Sequence, residues 1–278
     1  MKLIKIRIAI LTIMSFILSS VYAQQYEFGV SGVGTGYMGD LNSTNPFYFK
    51  NLGAGLFAKY NFNPTWGVKI AYNHLSLFGD DQDFKNLNQK QRNLQFNNRV
   101  SELAIMGEFN FFKYIPGRQL NRYTPYLVGG VAAIMHDPYV NYGSKKTLLR
   151  PLKLEVDKDG SPVTYSKFAL AIPLGAGFKY NIKGPWSVGA EVIYRTVLSD
   201  HIDGVSQYYL SPENIELPDP NKNNLTKEDL IFLADPSGGK LEINQGRARG
   251  DGKKFDGYMT AGITLTYTII SKKCYWWQ

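Results

Sequence analysis

YMTAGITLTYTII, Tyr258 to Ile270, is the stretch whose reading decides the fold. Met259, Ala261, Ile263, Leu265, Tyr267 and Ile269 fall on one face of an extended chain, and Thr260, Gly262, Thr264 and Thr266 on the other. Period two, with oil on one side and hydroxyls or glycine on the other, predicts a strand lying between an apolar and a polar surface. Such a strand needs partners, and seven upstream segments can carry the same alternation.

Those segments are Tyr26–Tyr37, Gly53–Phe62, Trp66–Phe78, Ser101–Phe112, Thr124–His136, Phe168–Ile182 and Trp186–Leu198. In the second, Leu56, Ala58, Tyr60 and Phe62 oppose Lys59 and Asn61; in the fourth, Leu103, Ile105, Phe109 and Phe111 oppose Glu102, Glu108 and Asn110. The fifth is rich in Gly and Ala, and its facing is ambiguous. Pro173 sits inside the sixth, where it removes a ladder hydrogen bond and is read as a bulge.

The connections alternate in length. Asn63-Pro64, Gly184-Pro185 and a moderate turn at Pro116-Gly117 join strands tightly, whereas Asp40–Leu52, Gly79–Val100, Asp137–Lys167 and Ser199–Gly257 are longer and polar. Short turns at one end and long loops at the other are the pattern of outer-membrane barrels. Tyr60, Phe62, Trp66, Phe111, Phe112, Tyr114, Tyr123, Tyr126, Tyr180 and Trp186 gather at the short-turn end, where amphipathic rings form a girdle at headgroup level. The expected fold is all-β: an eight-stranded antiparallel transmembrane β-barrel of the outer-membrane type, with short periplasmic turns and long extracellular loops.

The N-terminus agrees with export. Lys2, Lys5 and Arg7 precede an apolar run from Ile8 to Leu18, and Val21-Tyr22-Ala23 supplies small residues for cleavage. The run is short of the ~20 residues a spanning helix needs. The expected layout is therefore a signal peptide over 1–23, a barrel over 24–270 and a periplasmic tail over 271–278, with the cell outer membrane as destination. The net charge is +8, and loss of Lys2, Lys5 and Arg7 with the leader lowers it to +5. The remaining basic residues are scattered, so no nucleic-acid partner is implied. A single cysteine, Cys274, excludes an internal disulfide and is either a chance thiol or a site for pairing with another chain.

Eight strands enclose a space just wide enough for side chains to fill. The inward set holds four acids, Glu27, Glu102, Glu108 and Glu191, and four bases, Lys59, Lys69, Lys179 and Arg195. Lone buried charges are costly, so mutual pairing into a lumen charge network is expected, giving a plugged interior and not a diffusion pore. Clustered carboxylates also serve glycoside hydrolysis, but here each acid has a candidate cation and no cleft is implied. His74, His136 and His201 lie toward the loop ends without metal-ligand spacing and read as scattered surface residues. Arg249-Gly250-Asp251 spells an integrin-type tripeptide in the last loop. Thr226-Lys227-Glu228-Asp229 before Leu230 to Leu233 predicts an N-capped helix placed to cover the mouth as a lid. No catalytic, cofactor-binding or metal site is predicted, and the chain is not expected to be an enzyme.

Two resemblances add to this. Thr260-x-Gly262-x-x-Leu265-x-Tyr267 resembles the signal on the closing strand of outer-membrane barrels, read by the barrel-assembly machinery. Phe57-Ala-Lys59-Tyr60-Asn61-Phe62-Asn63-Pro64-x-Trp66, Pro173-Leu-Gly175-x-Gly177-x-Lys179-Tyr180 and Trp186-Ser-Val-Gly189-x-Glu191-x-x-x-Arg195-Thr196-x-x-x-Asp200 resemble the PorG family, as do Arg249-Gly250, Asp256 with Tyr258, and Ala261 through Tyr267. These are small outer-membrane barrels of the type IX secretion system in Bacteroidota. The resemblance implies a non-enzymatic protein in contact with outer-membrane lipids. It would tie a periplasmic ring of PorK and PorN (GldK and GldN where the system serves gliding motility) to the outer membrane. It also makes Cys274 a candidate for a disulfide to a ring lipoprotein. The alternative is an OmpX- or OmpW-like surface barrel acting in adhesion or small-solute binding through its outer loops.

Overall fold

The computed structural model describes residues 25–217, 225–238 and 241–270. The expected leader at 1–23, the tail at 271–278 and Cys274 within it lie outside the described residues. Among the described residues twelve strands follow in chain order: β1 (Gln25–Met38), β2 (Asn51–Asn61), β3 (Trp66–Asp80), β4 (Gln95–Asn110), β5 (Tyr123–Met135), β6 (Tyr139–Tyr142), β7 (Lys145–Leu148), β8 (Glu155–Val156), β9 (Phe168–Lys183), β10 (Trp186–Val197), β11 (Tyr208–Tyr209) and β12 (Gly257–Ile269). The eight long ones pair antiparallel in the ring β1-β2-β3-β4-β5-β9-β10-β12, and β12 returns to β1. Closure runs from Tyr26 opposite Ile269 to Met38 opposite Gly257.

The outward face explains where this ring lives. Phe28, Val30, Leu56, Ile70, Leu103, Val131, Leu170, Leu174 and Ile263 are all at least 48 % exposed and together wrap the barrel in apolar side chains. Water does not tolerate such a continuous patch, whereas hydrocarbon demands it. Ring closure pairs the strand edges, so the barrel leaves no open edge to lipid. The protein is an outer-membrane barrel, with the short turns on the periplasmic side and the long loops outside.

The structure departs from the sequence reading in several places. β3 runs to Asp80 and β4 starts at Gln95, so the loop between them shrinks to residues 81–94. Above the hydrocarbon both faces of a strand meet polar surroundings, and Asn97, Asn98 and Arg99 carry no apolar alternation to read. Pro173 makes no bulge. β9 keeps one register against β5 on both sides of it, with only the pairs of Gly130 and Val131 missing from the ladder. The irregularity in β9–β10 falls instead at Trp186/Ser187, beside the turn where Gly184 takes a left-handed φ of 54°. The girdle contains Phe62, Trp66, Phe111, Phe112, Tyr123, Tyr180 and Trp186, all outward, and gains Tyr26 and Tyr267. Tyr114 and Tyr126 do not belong to it: both are 4 % exposed, because Tyr126 shares the inward phase of Thr124 and Val128, and Tyr114 lies in a turn folded under the lumen.

That turn, residues 111–122, closes the periplasmic end. Tyr114 donates its N–H to the Pro64 carbonyl at 3.2 Å, and its hydroxyl is 2.6 Å from the Ser187 hydroxyl. Gly117 donates to Asn181 Oδ1 at 3.1 Å. At the other end the loops form a cap whose apolar residues, including Leu41, Leu94, Leu149, Leu152, Ile202, Leu210, Leu230 and Leu241, belong to one core cluster with inward side chains of the barrel such as Met106 and Ile193. Among its described residues the cap contains the β6–β7 hairpin and the helices α1 (Leu87–Arg92), α2 (Lys227–Ala234) and α3 (Leu241–Asn244). Thr226 and Asp229 form a reciprocal capping box at the start of α2, whose Leu230 and Ala234 are fully buried.

Candidate functional site

The lumen is filled in tiers. Nearest the periplasm, Lys59 Nζ lies 2.7 Å from Glu27 and 2.8 Å from Glu108, and Lys179 Nζ lies 2.5 Å from the same Glu108 oxygen. The next tier joins Lys69 to Glu191 at 2.6 Å, with the Tyr126 hydroxyl donating to Glu191 at 2.8 Å. Above it, Arg195 grips Glu102 through Nε at 2.6 Å and Nη2 at 3.1 Å. Asn73 and Tyr258 also donate to Glu102, both at 2.6 Å, and Arg195 Nη1 reaches the Thr260 hydroxyl at 2.7 Å. Each of the eight lumen charges is ion-paired.

Burial of such charges is tolerable only with this degree of pairing and hydrogen bonding. An acid–base pair that hydrolyses a glycoside must also meet its substrate, and these carboxylates are almost wholly buried among cations. The lumen carboxylates among the described residues are thus engaged by cations and hydrogen-bond donors. Thr260 and Gly262 of the closing strand face this interior, while Leu265 and Tyr267 face out, with Tyr267 packed 5.1 Å from Trp186 between ring centroids.

Above the lumen, a second polar group sits where the cap meets the barrel rim. Asp40 follows β1, Asp200 and Asp203 follow β10, and Asp256 precedes β12. The Tyr37 hydroxyl, at the end of β1, lies 2.5 Å from Asp203 and 3.2 Å from Asp256. Backbone N–H groups of Ile202 and Val205 donate to Asp256 and Asp203 at 2.9 and 2.8 Å, and Asp251 N–H donates to Asp40 Oδ1. Burial, with the neighbouring Asp200 and Asp251 adding repulsion, raises the Asp40 carboxyl to about 8. Burial likewise raises Asp200 to about 7 and pushes Asp203 and Asp256 well above the usual carboxylate range. Among the described residues, Asp40, Asp200 and Asp256 are also three acids whose oxygens could share a cation, lying within 4.8 Å of one another.

Two other sequence features change meaning. Arg249 of the Arg-Gly-Asp tripeptide is 2 % exposed, paired with Glu155 at 2.7 Å and bonded to the Ala234 carbonyl. It braces the cap and cannot be presented to a receptor. Of the histidines, His74 faces outward near Ser101, whereas His136 is 2 % exposed with neither ring nitrogen hydrogen-bonded, and His201 stacks on Tyr165 at 4.4 Å. Burial holds the His136 imidazole down at about 4, with nearby His201 adding to the effect and Asp137 opposing it.

A domain of unknown function, DUF6089, matches residues 5–234. The chain belongs to the DUF6089 family. No curated protein matches it. Among solved structures, this DUF6089 barrel is similar to the outer membrane protein OprG of Pseudomonas aeruginosa, at 10 % identity and a TM-score of 0.41, covering 90 % of this chain and 98 % of OprG. It is also similar to Ail, the attachment invasion locus protein of Yersinia pestis, solved with the heparin analogue sucrose octasulfate, at 9 % identity and a TM-score of 0.40, covering 88 % and 99 %. The outer membrane enzyme PagL matches at 9 % identity and a TM-score of 0.31, covering 88 % and 99 %. One fold hosts many functions, and none of these likenesses carries a site onto this chain.

The sequence reading named Asp200 and Asp256 of the DUF6089 cap only as motif residues and did not group them with Asp40, although the closing register would have done so. Met38 and Thr196 both pair with Gly257, so Asp40, Asp200 and Asp256 emerge from three adjacent strand ends.

Proposed function

We propose that this barrel is a non-enzymatic outer-membrane component of the type IX secretion system, tying a PorK/PorN-like ring to the membrane. The observation that carries the reading is the filled lumen, covered by the 111–122 turn below and by the loop cap above. A lumen crossed by paired charges supports a reading in which the barrel works through its rims. Lys59, Lys179, Glu191 and Arg195, four residues of the PorG-like motifs, are lumen ion-pair members, which gives those motifs a structural reason. On the periplasmic rim, Leu120 is 80 % exposed and stands with exposed Lys113 on the turn best placed to meet a ring. The assembly-machinery role of Thr260, Gly262, Leu265 and Tyr267 and a ring disulfide through Cys274 belong to the same reading.

The test is deletion of the gene in a strain with the secretion system, with affinity capture of the tagged barrel from membranes. Loss of cargo export and co-purification of the ring proteins are expected. Unchanged export with no ring captured overturns the reading. A cleft of about 200 Å³ between the β6–β7 hairpin and α2, with Val140, Tyr142 and Phe232 among its walls, favours the second reading of a surface barrel binding small solutes. In that case removal of residues 205–255 abolishes function and leaves ring assembly intact.

A further inference from the structure

Asp40, Asp200 and Asp256 converge at the outer end of the β1–β12–β10 seam. Three features single this group out from an ordinary acidic surface. Asp40 is 3 % exposed, and while its Oδ1 accepts from Asp251, its Oδ2 has no partner among the described residues. The Ser206 hydroxyl, 4 % exposed, faces Asp200 without a hydrogen bond of normal geometry. Gly39 leaves room at the convergence: a Cβ there would fall 2.0 Å from both Asp256 Oδ1 and the Tyr37 hydroxyl.

A buried acceptor without a donor is among the costlier arrangements a fold can hold, and close carboxylates repel one another. Among the described residues, none of the three acids is in a salt bridge, and Asp203 behind them adds a fourth carboxyl. The nearest cations are otherwise engaged: Arg92 with Asp81 at 2.7 Å and Lys253 with Asp251 at 2.5 Å.

We propose that Asp40, Asp200 and Asp256 bind one divalent cation of the calcium class at the outer rim of the barrel. The donors are all carboxyl oxygens, which become anionic as an incoming ion displaces their protons, and oxygen is the ligand that a hard cation prefers. A calcium ion, with ligands at about 2.4 Å, spans carboxylate oxygens up to about 4.8 Å apart, whereas magnesium at about 2.1 Å spans only about 4.2 Å. Oxygens that lie within 4.8 Å of one another all fall inside the reach of the larger ion. Water fills the remaining coordination positions. The ion fastens the first outer loop, which begins beside Asp40, to both ends of the last one, which leaves the barrel before Asp200 and returns after Asp256. This site is independent of any periplasmic partner.

The test uses the mature full-length protein refolded in detergent, freed of divalent ions with a chelator and titrated with calcium chloride alone. Calorimetry is expected to show one site filled at or below the order of millimolar calcium. Proteolysis within residues 198–256 should slow at least tenfold on saturation. Asp40→Asn keeps an oxygen for the Asp251 N–H, so the barrel folds, and binding should weaken at least tenfold; Asp256→Asn is the second variant. Folding of each is verified by the heat-modifiable gel band. Absence of calcium heat with unchanged proteolysis overturns the proposal, as does undiminished binding in a folded Asp40→Asn barrel. An equal response to magnesium chloride overturns the assignment to the calcium class.

Discussion

Replacing Arg195 by Met tests whether the lumen network holds the barrel or merely occupies it. Arg195 on β10 bonds Glu102 on β4 and Thr260 on β12, while Asn73 on β3 and Tyr258 on β12 bond the same carboxylate. One cluster thus crosses four strands. The change leaves the Glu102 carboxyl, at 0 % exposure, without its salt-bridge partner. Breaking a buried pair from one side costs roughly 3–5 kcal/mol, and the two surviving donors place this case near the lower figure. Urea slopes for small proteins are about 1–3 kcal/mol per molar, so the unfolding midpoint should fall by roughly 1.5 M. Trp fluorescence in detergent micelles follows the transition, since Trp66 and Trp186 face outward. Adding Glu102→Gln removes the stranded charge and keeps an acceptor, so the double variant should recover most of the loss. A single variant within about 1 kcal/mol of wild type, or a double variant as unstable as the two singles combined, refutes the reasoning.

Three further outcomes follow from the same geometry. In planar bilayers the wild-type barrel should give no steady conductance, and ohmic channels would show that the tiers do not seal the lumen. Thr226→Ala removes the capping box of α2 and should loosen that helix by about 1 kcal/mol, seen as faster amide exchange over residues 227–234 without change in the barrel. His136 is neutral in the fold to about pH 4 but takes a proton below its ordinary 6.5 once unfolded. Its contribution is complete above 6.5 and falls by ~3 kcal/mol as pH drops toward 4. Asp40 and Asp200, with raised values, act oppositely, weakening the cap as pH rises from about 4 toward 7 and 8. His136→Phe removes the histidine's share and leaves that of the acids, so cap proteolysis in the variant should slow more on acidification from pH 6.5 toward 4 than in the wild type, with Asp137, His201 and Arg150 unchanged around it; an identical profile in both proteins sinks the argument.

How much of this was legible depended on what each residue faces. Where one face meets lipid and the other meets the lumen, period two separates them, and Lys59, Lys69, Glu102 and Arg195 can be assigned from the sequence. Beyond the hydrocarbon that contrast disappears, which hid the first six residues of β4. Tyr126 was misplaced because its letter suits a girdle, although its phase with Thr124 and Val128 puts it inside. The bulge expected at Pro173 failed for a related reason. Loss of one N–H affects only the ladder to β5, and β10 on the other side keeps its pairing past Pro173. The cap acids are spread from position 40 to 256, so proximity along the chain could never group them.

Barrel closure gives those acids their significance. The pairing between the first and last strands, like any barrel seam, brings together the segments farthest apart in the chain. Over much of its length the seam has small inward residues: Gly29 opposite Thr266, Ser31 opposite Thr264 and Val33 opposite Gly262. Those side chains do not reach across the lumen, so the middle of the seam rests on its backbone ladder. Polar anchoring is concentrated at its ends. Near the periplasm, Glu27 of β1 is tied through Lys59 to Glu108 on β4; at the outer rim, Tyr37 of β1 bonds across to Asp203 and Asp256. The outer anchor is built from groups that repel when ionised. A cation there joins β1, β12 and β10 in addition to the backbone ladder and the Tyr37 hydrogen bonds.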